Sequence, residues 1–178
     1  MVRASAFAGV FLCALALLAG SAMMPASAQQ PAAPTAAPPQ PPYGSPITLD
    51  QAKRVMAAAE LEAAKNSWIV AITILDSGGN MVMFHKGDNA QLSAITTSAG
   101  KARTALEFKL PSKSLDDAIA AGGAGMRLLA LKDITPLQGG NLILVDGKIA
   151  GAIGVSGALS AQDDQIAKAG TDVLAKGM

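Results

Sequence analysis

The chain has 178 residues, with 14 lysines and arginines against 13 aspartates and glutamates and a single histidine, for a net charge of +1. That balance gives no basic field to attract nucleic acid or an anionic membrane, and both are excluded as partners. The one cysteine, Cys13, falls in a segment expected to be cleaved, so the mature chain is left without disulfides, thiolate metal sites, cysteine nucleophiles or covalent c-type haem attachment.

Arg3 is the sole charge before Asp50, and an apolar run follows over residues 7–19. Ala26-Ser27-Ala28 then places small residues at the −3 and −1 positions of a signal-peptidase site. The run falls short of the roughly 20 residues that span a bilayer. Residues 1–28 therefore predict a cleavable export signal and a periplasmic or secreted chain, with no stable membrane insertion after cleavage. Loss of Arg3 brings the net charge to zero.

Residues 29–46 carry seven prolines among mostly alanine and glutamine. Such a stretch cannot bury a core and is expected to be a disordered, polyproline-like tether. Residues 47–178 have the length of one domain. Their only aromatics are Trp68, Phe84 and Phe108, so the core must form by close approach of small side chains. The apolar content exceeds the need of a solvated monomer, which points to a buried interface and a homo-oligomer.

Thr48 and Gln51 have capping-box spacing, and Leu49, Ala52, Met56, Ala59 and Ala63 mark the apolar stripe of a first helix. The β-branched run 68–75 reads as a strand covered on both faces. Asp76-Ser-Gly-Gly-Asn80 is turn chemistry, and residues 81–86 return as a second strand, completing a hairpin. Leu92, Ile95, Ala99, Ala102 and Leu106 predict a second helix over 91–108, stopped by Pro111. Ser114 and Asp117 cap a short third helix that ends at glycines 122, 123 and 125; residues 126–134 fit either strand or helix. A second hairpin spans 142–156 around Asp146-Gly147, and Ser160 with Asp163 caps a last helix to about residue 175. The fold class is thus α/β of the α+β kind, with a largely antiparallel sheet flanked by helices.

His85 is predicted to share a strand face with Met81 and Met83. It reads either as an axial ligand to a metal centre on an apolar platform, or as a half-exposed strand-end histidine beside Lys86 and Asp88. Lys101, Arg103 and Thr104 fall on the polar flank of the second helix. They read as a solvated face, with Arg103 and Glu107 an i,i+4 pair, or as groups meeting a ligand carboxylate and a metal. Gly151-Ala-Ile-Gly154-Val-Ser-Gly157 lacks the lysine and acidic residue of nucleotide motifs. Its glycines instead predict close backbone packing, and Pro136-Leu-Gln-Gly-Gly140 reads as a turn or bulge. No serine sits on a nucleophile elbow and no second histidine exists for zinc, so nothing demands an enzyme.

In order and spacing, Asp76 to Asn80, Phe84-His-Lys-Gly-Asp88-Asn-Ala90, Lys101-Ala-Arg-Thr-Ala105, Pro136 to Gly140, Gly151 to Gly157 and Gln162-Asp-Asp-Gln-Ile-Ala167 together resemble the GlcG/HbpS family of haem-binding proteins. The resemblance covers residues 47–178; Asn89 stands where that family usually has glycine, and Lys86-Gly87 replaces the commoner Arg-Met. It implies a profilin-like antiparallel sheet of about five strands and a homo-oligomer. It also implies non-covalent binding of haem or a related tetrapyrrole by an exported protein, in haem sensing, storage or degradation. His85 and Thr104 are the candidate iron ligands, with His85 the metal site, and Lys101, Arg103 and Lys86 the cations for the haem propionates. The alternative is a small hydroxy-acid binding module, or an accessory subunit of an exported oxidoreductase.

Overall fold

The computed structural model describes residues 39–175; the expected export signal, residues 29–38 of the expected tether and the last three residues lie outside this range. The elements in order are α1 (Leu49–Lys65), β1 (Ala71–Asp76), β2 (Met81–Lys86), α2 (Leu92–Phe108), α3 (Ser112–Ala120), a 3-10 segment (Gly123–Ala130), β3 (Gly140–Val145), β4 (Lys148–Ser156) and α4 (Ser160–Ala175). The ambiguous stretch after Gly125 is therefore neither strand nor α-helix over its first half, and the 3-10 segment buries no residue.

Local chemistry accounts for the first elements. The Thr48 hydroxyl accepts from the Gln51 N–H at 3.2 Å while the Gln51 side chain accepts from the Thr48 N–H at 3.0 Å, a closed capping box that starts α1. In the β1–β2 turn the Asp76 carboxylate accepts from the N–H groups of Gly78 and Asn80, and Gly79 takes a φ of +83° that a side chain would resist.

Four strands form one antiparallel sheet in the order β2-β1-β4-β3. The count is one short of the five expected. A partial fifth partner exists, since Tyr43 forms a parallel bridge to Ile149 alongside β4. The Gly44 N–H donates to the Ile149 carbonyl and the Ile149 N–H to Pro42. The segment expected to be a free tether as far as residue 46 is thus bound to the domain from about Gln40, whose side chain reaches the Phe108 carbonyl.

α1 and α4 cover one sheet face, where Val55, Met56, Ala59, Ile72, Ile74, Ile153, Val155 and Ile166 form the larger core. α2 covers the other, where Leu75, Ala102, Ala105, Leu106, Ile149 and Ala152 close a smaller one. Covered on both faces, β1 is buried along nearly its whole length, as its β-branched run predicts. α2 keeps the expected face only in its second half: Ala102 and Leu106 are buried as predicted, but Leu92 is 84% exposed and Ala94, Ser98, Lys101 and Ala105 turn inward. The cause is Gly154, at which a β-carbon would stand 2.0 Å from the Ser98 carbonyl oxygen and 2.6 Å from the Ala102 nitrogen. Helix and sheet backbones approach so closely there that only the small-residue side of α2 can face inward. Among the described residues no helix is long and apolar enough to cross a membrane.

Candidate functional site

The predicted site residues fall into two groups on opposite faces of the sheet. His85 lies opposite Ile72 across the β1–β2 ladder, and so looks toward α1. Its Nδ1 hydrogen-bonds the Glu60 carboxylate of α1, in a contact between side chains about 40% exposed. The two overhang a cleft of about 280 Å³ walled by Ala63, Trp68, Ile69 and Ile72, with Asp88 at its border. With Nδ1 engaged, Nε2 is the ring nitrogen left without a protein partner among the described residues.

The methionine platform is only half present. The ladder shifts register between Ile74 and Leu75, so Met83 faces Ile74 but Met81 faces Leu75. The bulge breaks the alternation that the sequence pattern assumes. Val82 and Met83 pack against the larger core, while Met81 is 56% exposed.

Lys101 and Thr104 are not on a solvated flank, and that expectation is overturned. Lys101 is 2% exposed, its Nζ donating to Asp163 Oδ2 at 2.8 Å and to the Val155 carbonyl at 2.9 Å. Thr104 is fully buried, and its hydroxyl accepts from the Thr135 N–H at 2.7 Å. Each is engaged by bonds inside the domain. Thr104 secures the start of the 135–140 segment, which Ser112 also holds by donating to the Leu137 carbonyl and accepting from the Gly140 N–H, and which Gln138 ties to Asp164 of α4. What reads in the sequence as an ordinary turn is thus a strap fixed by α2, α3 and α4. Burial pushes the Asp163 carboxyl above the usual aspartate range, against the pull of Lys101 and of the Ala158 N–H.

Arg103 is exposed as predicted; it pairs with Glu107 at 3.6 Å and donates to the Gly79 carbonyl at 3.4 Å. Lys86 is exposed beside His85 and turns onto the Gly87 carbonyl at 3.4 Å. Of the five predicted residues only His85 lines the cleft; Lys86 is its neighbour on β2 but pairs with Ala71 on the other face. Glu60 escapes sequence reasoning. It flanks the Ala59–Ala63 stripe of α1 like any solvated glutamate, and only the tertiary fold brings it to a strand 25 residues away.

The donor set bears on what the cleft can hold. A bare cation asks for three or four protein ligands, and among the described residues no three histidine, cysteine, aspartate or glutamate side chains gather to offer them. A porphyrin supplies four equatorial nitrogens itself, so its iron asks the protein for as little as one imidazole. A histidine with its far nitrogen tied to a carboxylate above apolar walls fits that single role. The cleft's volume lies just below the range that encloses a whole ligand, so a tetrapyrrole would rest against it with much of the ring outside.

The chain is thus a small α/β domain, an antiparallel sheet covered by helices on both faces with one histidine above an apolar cleft. The chain belongs to the HbpS-like family, whose model, described as "Haem degrading protein HbpS-like", matches residues 47–172. Protein GlcG of Escherichia coli K12 is 38% identical over 110 residues, covering 62% of this chain and 81% of GlcG. The crystal structure of a double mutant of Streptomyces reticuli HbpS aligns with a TM-score of 0.67 at 30% identity, over 80% of this chain and 97% of that one. A PduOC–haem complex shares the fold, with a TM-score of 0.65 at 24% identity, over 71% of this chain and 94% of its own.

Proposed function

We propose that the chain is an exported protein that binds haem non-covalently at the Glu60–His85 cleft, with His85 Nε2 as its axial ligand. The observation that carries this reading is the anchored imidazole, its Nδ1 held by Glu60 and its ring set over the wall formed by Ala63, Trp68 and Ile72. Membership of a haem-linked family supports it, and the signal-like pattern of residues 1–28 supports export. Haem would supply a redox-active iron. The chain's own residues do the rest: Glu60 orients the imidazole and the apolar wall shields one ring face from water, while Lys86, paired with Ala71 on the other face of the strand, does not line the cleft. Lys101 and Thr104 have no part in it. A small hydroxy-acid fits less well, because Glu60 and Asp88 would meet its carboxylate with like charge. The same reading makes the protein a homo-oligomer, supported by the exposed Met126, Leu129, Leu131 and Leu137.

A hemin titration of the chain from Gln29 onward, followed in the Soret region and by quenching of Trp68, the chain's single tryptophan, tests the proposal. The expected result is a saturable one-to-one band in the parent that is lost or displaced in His85→Ala. A band identical in both would move the ligand away from His85, and absence of saturation would remove haem as the ligand.

A further inference from the structure

His85 is the chain's single histidine, so the state of one imidazole decides what the cleft can ligate. A neutral imidazole carries its proton on one nitrogen and a lone pair on the other, and only the nitrogen with the lone pair can bind a metal or accept a proton. The two tautomers are close in energy in water. A partner on one nitrogen therefore selects between them. A carboxylate selects without ambiguity, since in its ionised form it accepts and never donates. An amide in the same place could do either.

We propose that Glu60 is the positioning residue of this site: by accepting the proton on His85 Nδ1 it fixes the tautomer in which Nε2 carries the lone pair. It also fixes the ring plane over the cleft. Three observations carry this. The contact joins Nδ1, not Nε2, to the Glu60 carboxylate. Glu60 stands on a capped helix of 17 residues whose inner face is packed into the core, so the carboxylate is presented from a rigid element. His85 is held on a strand by pairing with Ile72, which sets the sheet face from which its ring meets α1. Asp88, the other carboxylate bordering the cleft, has no hydrogen bond to His85, so the assignment falls on Glu60 alone.

The inference rests on the cleft reading above for its purpose, but not for its test. A carboxylate behind an imidazole makes the far nitrogen a stronger donor and stabilises the oxidised metal bound to it; loss of such a partner weakens metal affinity about 10–100-fold. Glu60→Gln keeps the volume and a hydrogen bond, but lets the amide donate to Nδ1 and drive the proton to Nε2. Glu60→Ala removes the partner. Glu60 is about 40% exposed, so neither variant threatens the core.

The decisive measurement needs no haem: nitrogen-15 correlation spectra of the ligand-free protein in mildly alkaline buffer, where a lone histidine gives a single set of ring signals. The parent is expected to show a protonated Nδ1 and an unprotonated Nε2, with the preference lost or reversed in both variants. In the hemin titration the variants should then bind about 10–100-fold more weakly, with a more positive midpoint potential. A parent with its proton on Nε2 would overturn the inference even if haem binds, as would an Nδ1 preference that survives both substitutions. A fixed Nδ1 proton together with no saturable Soret band would leave Glu60 in its role and retire haem as the occupant.

Discussion

Lys101 and Asp163 are each 2% exposed, yet every polar atom they bring inside is matched: ammonium to carboxylate and to the Val155 carbonyl, and the second carboxylate oxygen to the Ala158 N–H. Burying two charges is tolerable only under such full pairing. Lys101→Met would strand Asp163 without its cation, and a loss of about 3–5 kcal/mol in urea unfolding at neutral pH is expected. The deficit should shrink as pH falls. Burial already raises the Asp163 carboxyl in the folded state, and without Lys101 it rises further, so the folded variant binds more protons than the unfolded chain and gains stability toward acid. Lys101→Met with Asp163→Leu should recover part of the loss, though not all, because Val155 and Ala158 would keep unpaired main-chain groups. A deficit that is constant across pH would argue against a stranded carboxylate.

The interlocking of elements explains which expectations held. The hairpins, the helix order and the capping box were legible because each depends on residues adjacent in sequence, and the close packing because a glycine in an apolar strand marks it even though its partners lie far along the chain. The inward phase of α2 was legible only in part: Ala102 and Leu106 of the predicted stripe are buried, but its start at Leu92 and Ile95 is exposed, because Gly154 selects the Ser98–Ala102 side by leaving no space for anything larger. The β2 bulge, invisible in the residue pattern, likewise turned Met81 away. Of the candidate site His85 could be picked out by its rarity, whereas Glu60 could not, since its significance depends on a contact between α1 and β2. Gly154→Ala tests the packing: its β-carbon meets backbone atoms that cannot rotate aside. Denaturant unfolding should show a loss of at least about 1–3 kcal/mol. A neutral result would mean that α2 can lift from the sheet at little cost.

At the scale of the whole molecule, exposed apolar side chains are spread over several elements, Leu61, Leu92 and Leu159 among them, and one group of four follows in and after the 3-10 segment. Met126, Leu129, Leu131 and Leu137 are all at least 44% exposed, and the segment buries nothing of its own. A second copy covering this region, as the proposed homo-oligomer requires, would account for residues that a solvated monomer carries as a liability. Sedimentation velocity of the chain from Gln29 is expected to give a concentration-dependent oligomer, shifted toward monomer by Leu129→Glu with Leu131→Glu. A monomer at all concentrations would return these side chains to the class of unexplained surface.

The arm that joins the domain at Tyr43 also has a direction. Its hydroxyl donates to the Leu106 carbonyl, Lys109 sits 4.3 Å above its ring, and its backbone bridges Ile149. These contacts cluster around the end of the sheet marked by Asp76 and Gly151, whereas His85 stands opposite Ile72, four residues and about 13 Å up the strand. Within the described residues the Tyr43 anchorage and the His85 imidazole therefore belong to different ends of β1, so a change at one leaves the ground of the other untouched.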